Sequence, residues 1–457
     1  MVGVIATAPT TAALHEPWTL LLEPGRPLEN PFLLDPPALR WTGPDGDRTA
    51  EGFCDHPAGA AFRARILPLV PGEYRWSCAW LGETVEGSFV ASGDGNDGLW
   101  RAVDRHFENA RGPVWPNGTT AYLMAGLSEA AETRALDRLA AHRVNRIRVS
   151  LTPSRQADGG RWYEPQVGHR DEFTYFYGPW PCARPDSATD PGWDVTRFDV
   201  AYWRRFERLL TRARDRGIAV QVVFFTDAQE GPNYPFDRDA EDPAESRFYA
   251  YAAARLAAHA NAEWCLTNEW ALFRPDEWVV AKGRFLAGKD PYGHLTTVHG
   301  HGHFPFAEEP WCTHALYQLW DEHGGHDAML ERVRATTKPV INEEFGYEDH
   351  YPGPWGDGRV APARRWETRL KCAWEIAMAG AFSTDGESAA SGEGGWINGL
   401  RTDSDDLLKG RRAMREFFEA IPEWWRFAPT GERTLRHPDG RTIAIGEDGM
   451  SGTLPAK

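Results

Sequence analysis

Between about residue 98 and residue 420 the chain alternates short apolar runs with longer segments whose apolar residues recur at helical spacing, and no other feature limits its fold as tightly. Eight runs read as strands: residues 120–124, 146–151, 219–225, 263–267, 295–299, 311–317, 339–342 and 380–384. Clear helices are expected at 128–142, 200–216 and 363–379, with Gly217 as a stop for the second. Strands that alternate with helices pair in parallel, with helices covering the sheet. Eight such units predict a closed (β/α)8 (TIM) barrel, an α/β fold, rather than an open sheet.

The flanks follow different rules. Residues 1–97 carry alternating polar and apolar runs at 18–23, 61–67, 72–80 and 85–90, broken by Pro24-Gly25, Gly43-Pro44 and Pro71-Gly72. That pattern predicts an N-terminal antiparallel β-sandwich, joined to the barrel domain (98–420) through the Gly- and Asp-rich stretch 92–98. Residues 421–457 read as a short C-terminal β extension, with a hairpin around 440–446.

Bulk properties exclude several function classes. A formal net charge of −16 supplies no concentrated basic face, so nucleic acid is not an expected partner. No segment offers the ~18 uninterrupted apolar residues of a membrane span, and the first residues lack the basic and apolar regions of a signal peptide. The expected location is cytoplasmic. Six cysteines stand far apart without a C-x-x-C pair, which suits reduced thiols rather than zinc or a disulfide framework. Twenty-one tryptophans are unusual, and such rings line clefts where sugars stack as well as filling cores. The stretch 154–198 exceeds ordinary loop length and holds Trp162, Tyr163, Phe173, Tyr175, Phe176, Tyr177, Trp180 and Trp193. It reads as a cleft wall or as a lid over the barrel.

In a barrel, chemistry sits where strands end. The fourth run ends in Leu266-Thr-Asn-Glu-Trp270, placing Asn268 and Glu269 at the rim; the seventh ends in Ile341-Asn-Glu-Glu-Phe-Gly346. Retaining glycoside hydrolysis needs an acid to protonate the leaving oxygen and a carboxylate to attack the anomeric carbon, ~5–5.5 Å apart. Successive strand residues point to opposite faces, so only one of Glu343 and Glu344 is expected in the mouth, the other pairing outside the cleft.

These rim carboxylates resemble those of clan A glycoside hydrolases, in which the acid/base follows Asn at the end of strand four and the nucleophile ends strand seven. Within that clan the chain looks closest to the apiosidase-like hydrolases that carry an N-terminal β-sandwich. Asn30-Pro-Phe, the 72–76 strand Gly-Glu-Tyr-Arg-Trp and the run from Lys338 to Glu348 carry the likeness. The resemblance implies Glu269 as catalytic acid/base and Glu344, directly before Phe-Gly, as nucleophile in preference to Glu343. It further implies that Arg148 holds the nucleophile ionised, that Asn268 bonds the sugar 2-hydroxyl and that Tyr317 orients the nucleophile. Glu348 is read as a supporting loop carboxylate.

Other rim residues complete the expected substrate site. His299 and His301 are read as hydrogen-bonding groups, Asp227 and Asp385 (with Glu387) as grips for hydroxyls, and Trp396 as a stacking platform. No cofactor or metal is called for. Two alternatives stay open: a metal-dependent barrel hydrolase using His299, His301 and His303, since H-x-H puts both rings on one strand face, and a non-catalytic carbohydrate-binding protein. The leading expectation is an exo-acting retaining glycosidase for oligosaccharides or glycosides, with sugar, anomer and oligomeric state left open.

Overall fold

The computed structural model describes residues 3–152, 178–184, 187, 190–226, 228, 234–239, 241–320, 325–348, 365–387, 399–401, 404–446 and 449–453. Eight parallel strands form the central barrel: Gly118–Thr120, Arg146–Ser150, Ala219–Val223, Ala262–Cys265, Thr296–Thr297, Ala315–Tyr317, Val340–Asn342 and Phe382–Asp385. Their ladder runs 5-4-3-2-1-8-7-6, and every pair in it is parallel. Between the fifth and sixth strands a parallel bridge joins Gly300 to Tyr317, and the Thr313 N–H donates to the Thr296 carbonyl at 2.9 Å, closing the circle. The second and third strands are buried at every residue, as strands with helices outside and packed side chains inside must be.

Helices α1 (Glu129–Ala141), α2 (Val200–Arg214), α3 (Pro243–Leu256), α4 (Asp276–Lys289), α5 (His326–Arg334), α6 (Trp366–Met378) and α7 (Asp406–Glu419) surround the strands. Side-chain caps start three of them. Ser128 accepts from Ala131 N–H, Asp199 from Ala201 and Tyr202, and Asp242 from Ala244, with Pro243 in the first turn. Gly217 takes φ +67° just past α2, as the expected stop requires.

The first strand differs from expectation. It pairs at Gly118–Thr120, and the apolar run after it folds into a buried loop ending in the 3-10 turn Met124–Gly126. A buried apolar run has no periodicity that separates strand from packed loop. The displacement matters, because it leaves Tyr122 beyond the strand end, at the barrel mouth. Ahead of the barrel, an antiparallel meander (Arg101–Val103, His106–Asn109, Gly112–Val114) plugs the opposite end, with Phe107 ring contacts at 5.5 Å to Phe382 and 5.6 Å to His314.

The N-terminal region is a sandwich of a four-stranded and a five-stranded sheet. Alternation sends Trp18, Leu20, Leu22, Phe62, Ala64 and Ile66 of one sheet against Trp41, Trp76, Trp80 and Phe89 of the other. Ring contacts span the gap, Trp18 to Phe89 at 4.6 Å and Phe62 to Trp80 at 4.3 Å. One short strand, Thr11–Ala13, pairs in parallel with Glu83–Ser92; the other ladders of the sandwich are antiparallel. The C-terminal residues form a four-stranded antiparallel meander rather than one hairpin. Among the described residues no helix is long and apolar enough to cross a membrane.

Candidate active site

The strands' C-terminal ends bring Arg148, Asn268, Glu269, His299 and Glu344 together. Arg148, fully buried on the second strand, is the hub. Its Nη2 donates to Asn268 Oδ1 at 2.9 Å, its Nη1 lies 3.7 Å from Glu344 Oε2, and its guanidinium sits 4.9 Å from the Tyr122 ring centre. The Asn268 N–H is anchored to the Phe225 carbonyl at 2.9 Å, so the amide that meets Arg148 is fixed by the neighbouring strand.

Glu269 is held by an unusual backbone. Its φ of 46° and ψ of 50° are left-handed, a conformation that costs a non-glycine residue about 1–3 kcal/mol and is kept where surrounding structure enforces it. The enforcement is visible. Leu272 N–H bonds the Glu269 carbonyl at 3.0 Å, and Trp270 N–H bonds the His299 carbonyl at 3.3 Å. The Trp270 ring then lies over Gly300, where a Cβ would fall 1.5 Å from its Cζ3. Gly300 between the two histidines is therefore required for Trp270, and through it for the turn that presents Glu269.

His299 touches both carboxylate residues. Its Nδ1 accepts the Glu269 N–H at 3.4 Å, and its Nε2 faces Glu344 Oε2 at 3.6 Å. Burial and the Arg148 charge push its pKa well below the ordinary imidazole value, so the ring is neutral; with Nδ1 accepting, its proton lies on Nε2, toward Glu344. His301 is half-exposed, 3.8 Å from Glu269 Oε1, and burial lowers its pKa as well. His303 is exposed. Among the described residues no group of three or more His, Cys, Asp or Glu side chains is placed to hold a metal.

Two tyrosines stand where Tyr317 was expected. The Tyr122 hydroxyl lies 3.5 Å from Glu344 Oε2 and 3.3 Å from Asn268 Oδ1. Burial, and then the Glu344 charge, push the Tyr347 hydroxyl far above the usual phenol range, which places it beside the same carboxylate. Tyr347 packs over Gly386, whose Cβ would fall 1.7 Å from the ring. Tyr317 instead faces α5: Arg332 stacks 5.9 Å from its ring, and the charges it senses are those of Arg332 and Glu331. Its assignment as the orienting tyrosine is corrected, since the strand's alternation turns it outward. The sequence did carry a signal for the two replacements, because Tyr122 follows the first strand and Tyr347 sits in the Phe-Gly-Tyr-Glu run.

Four other expectations need correction. Glu343 is not outside the barrel. It is fully buried beneath the mouth, 2.5 Å from Arg146 and 2.9 Å from the Thr384 hydroxyl. The seventh strand ends at Asn342, so strict alternation no longer applies to the two glutamates. Asp385 does not reach the cleft: it pairs with Arg411 of α7 at 2.7 Å, on the outward face of the eighth strand. Glu387 is likewise buried against Arg138 of α1. Trp180, expected on a cleft wall, is buried against Phe236 and Phe248, with ring contacts at 5.4 and 4.7 Å. Glu348 pairs with Arg401. Asp227, Trp396 and the aromatic residues 162–177 lie outside the described residues.

A closed barrel with two glutamates at the ends of its fourth and seventh strands, and a buried arginine and histidine around them, is the architecture of a barrel hydrolase for glycosides. The model of the apiosidase-like family's catalytic domain matches residues 128–384, more than half of the chain, and the chain belongs to that family. The chain is similar in structure to a candidate glycoside hydrolase from Bacteroides vulgatus, with TM-score 0.78 and 21% identity over 96% of this chain and 84% of that one. A family 5 glycoside hydrolase from the same organism is also similar, with TM-score 0.53 and 17% identity over 76% of this chain and 80% of the other. At these identities the likeness is one of fold. No curated protein matches this chain.

Proposed function

We propose that this protein is a retaining glycoside hydrolase in which Glu344 is the nucleophile and Glu269 the acid/base. Family and fold support a glycosidase. The observation that carries the finer reading is His299, which bonds the backbone of one glutamate and faces the carboxylate of the other, fixing the two relative to each other.

In this reading Arg148 supplies the positive neighbour that favours a charged nucleophile, and Tyr122, Tyr347 and the Nε2–H of His299 aim its oxygens. Glu344 attacks the anomeric carbon while Glu269 gives its proton to the departing oxygen. Water, deprotonated by Glu269, then cleaves the glycosyl ester and restores both groups. Asn268, locked by Arg148, is placed to bond the hydroxyl next to the reacting carbon, and His301 to contact the leaving-group side. The substrate class is an oligosaccharide or glycoside, cleaved from its end; a furanoside is included on the family likeness. The test is hydrolysis of a panel of aryl pyranosides and furanosides of both anomers, followed by NMR of the first-formed product. Retention of configuration supports the reading, and inversion overturns it. Product lengths from a defined oligomer test end-wise cleavage: monomer release throughout supports it, and internal fragments refute it.

A further inference from the structure

A second site lies where the sandwich meets the barrel. The run Phe62–Ile66 alternates, sending Phe62, Ala64 and Ile66 into the sandwich core and Arg63 and Arg65 outward toward α2. Helix α2 answers with Arg204, Glu207 and Arg208, spaced to share one face. These residues line a cavity of about 320 Å³, at the lower end of small-molecule sites, with Asp55 and His259 in its wall.

Two features point to a ligand. Positive charge is in excess: Asp55 is shared by Arg63, Arg204 and Arg255, and Glu207 by Arg65 and Arg255, while Arg208 at the rim takes no part in this network. In a chain of net charge −16, five guanidiniums around two carboxylates form a local positive field. The second feature is a set of orphaned polar atoms. Among the described residues, both ring nitrogens of the buried His259 and the Nε of Arg65 have no hydrogen-bond partner. Buried nitrogens left unbonded are costly, and a ligand with several acceptor oxygens satisfies them.

We infer that this cavity binds a small oxyanion of the phosphate class, held by Arg65, Arg204 and Arg208 with His259 beneath it, and that the bound anion clamps the sandwich onto the barrel. Burial and the nearby arginines hold the His259 pKa down to about 3, so the ring stays neutral and offers one N–H.

The experiment is calorimetric titration and thermal denaturation of the full chain with inorganic phosphate, at ionic strength fixed with sodium chloride. Wild type should show saturable binding and a concentration-dependent rise in Tm. Arg208→Ala, at an exposed position outside the ion-pair network, should keep its ligand-free Tm and lose about tenfold in phosphate affinity, and His259→Phe should lose a similar factor. Glucose 6-phosphate serves as the second arm: tighter binding than phosphate identifies a sugar phosphate as ligand, and equal binding identifies the free anion. Absence of saturable binding of both, or affinity unchanged in both variants, overturns the inference.

Discussion

Glu343 and Glu344 are neighbours in sequence and opposites in environment. Glu343 is closed in by Arg146 at 2.5 Å and Thr384 at 2.9 Å, with Arg146 also gripping Glu263 at 2.8 Å. Around Glu344 the approaches of Tyr122, His299 and Arg148 are 3.5, 3.6 and 3.7 Å. In the lower layer one guanidinium, that of Arg146, binds both Glu343 and Glu263, whereas the upper one gathers Tyr122, Tyr347, His299 and Arg148 around the single carboxylate of Glu344. The contrast separates a glutamate locked into ion pairs beneath the mouth from the one to which the proposed mechanism gives the chemistry.

Breaking each side of the contrast gives different outcomes. Glu344→Ala should lower kcat by at least about a thousandfold with Tm little changed, measured by aryl glycoside turnover and calorimetry. Glu343→Leu should do the reverse in emphasis. It leaves Arg146 with one carboxylate in place of two and destabilises the fold by about 3–5 kcal/mol, read from denaturant unfolding. Equal stability losses in the two variants would erase the distinction.

A finer test concerns Tyr347. Removal of its hydroxyl in Tyr347→Phe should cost kcat about 10- to 100-fold, the worth of a hydrogen bond to a charged group. Gly386→Ala should reproduce much of that loss, because its new methyl displaces the ring. A normal kcat in both would remove Tyr347 from the mechanism.

The smallest effect is on pH dependence and concerns Asp385, which lies away from the mouth. Burial outweighs the Arg411 charge and pushes its pKa up to about 6 from 3.8. A carboxyl whose folded pKa is raised stabilises the fold below its unfolded pKa, and that contribution is lost as pH rises through the folded value. Stability should therefore fall by on the order of 2–3 kcal/mol between pH 4 and 6, and Asp385→Asn should flatten that part of the profile. A rise across the same range that persists in the variant would contradict the assignment.

Much of this organisation was legible in the sequence. Seven of the eight apolar runs fell on barrel strands and the first met its strand only at Thr120, while Asn268-Glu269 and Glu343-Glu344 located the two rim positions, because strand ends in a barrel must converge. Side-chain direction was less legible. Tyr317 turns to α5 and Asp385 to α7, and both errors arise at positions where alternation decides the face but sequence does not fix the register to within one residue. Glu343 escaped for a related reason, lying just past the last paired residue. Tyr122 was hidden because a packed loop and a buried strand share one composition. The arginine-rich seam between sandwich and barrel was invisible, since its members come from residues 55, 63, 65, 204, 207 and 255, far apart in the chain.

The most direct test of the central claim is azide rescue in two variants on a substrate that wild type cleaves with retention. Glu344→Ala with azide should recover turnover and yield a glycosyl azide of inverted configuration, while Glu269→Ala with azide should yield one of retained configuration. Exchange of these two outcomes would reverse the roles, and full activity of both variants without azide would contradict the carboxylate pair altogether.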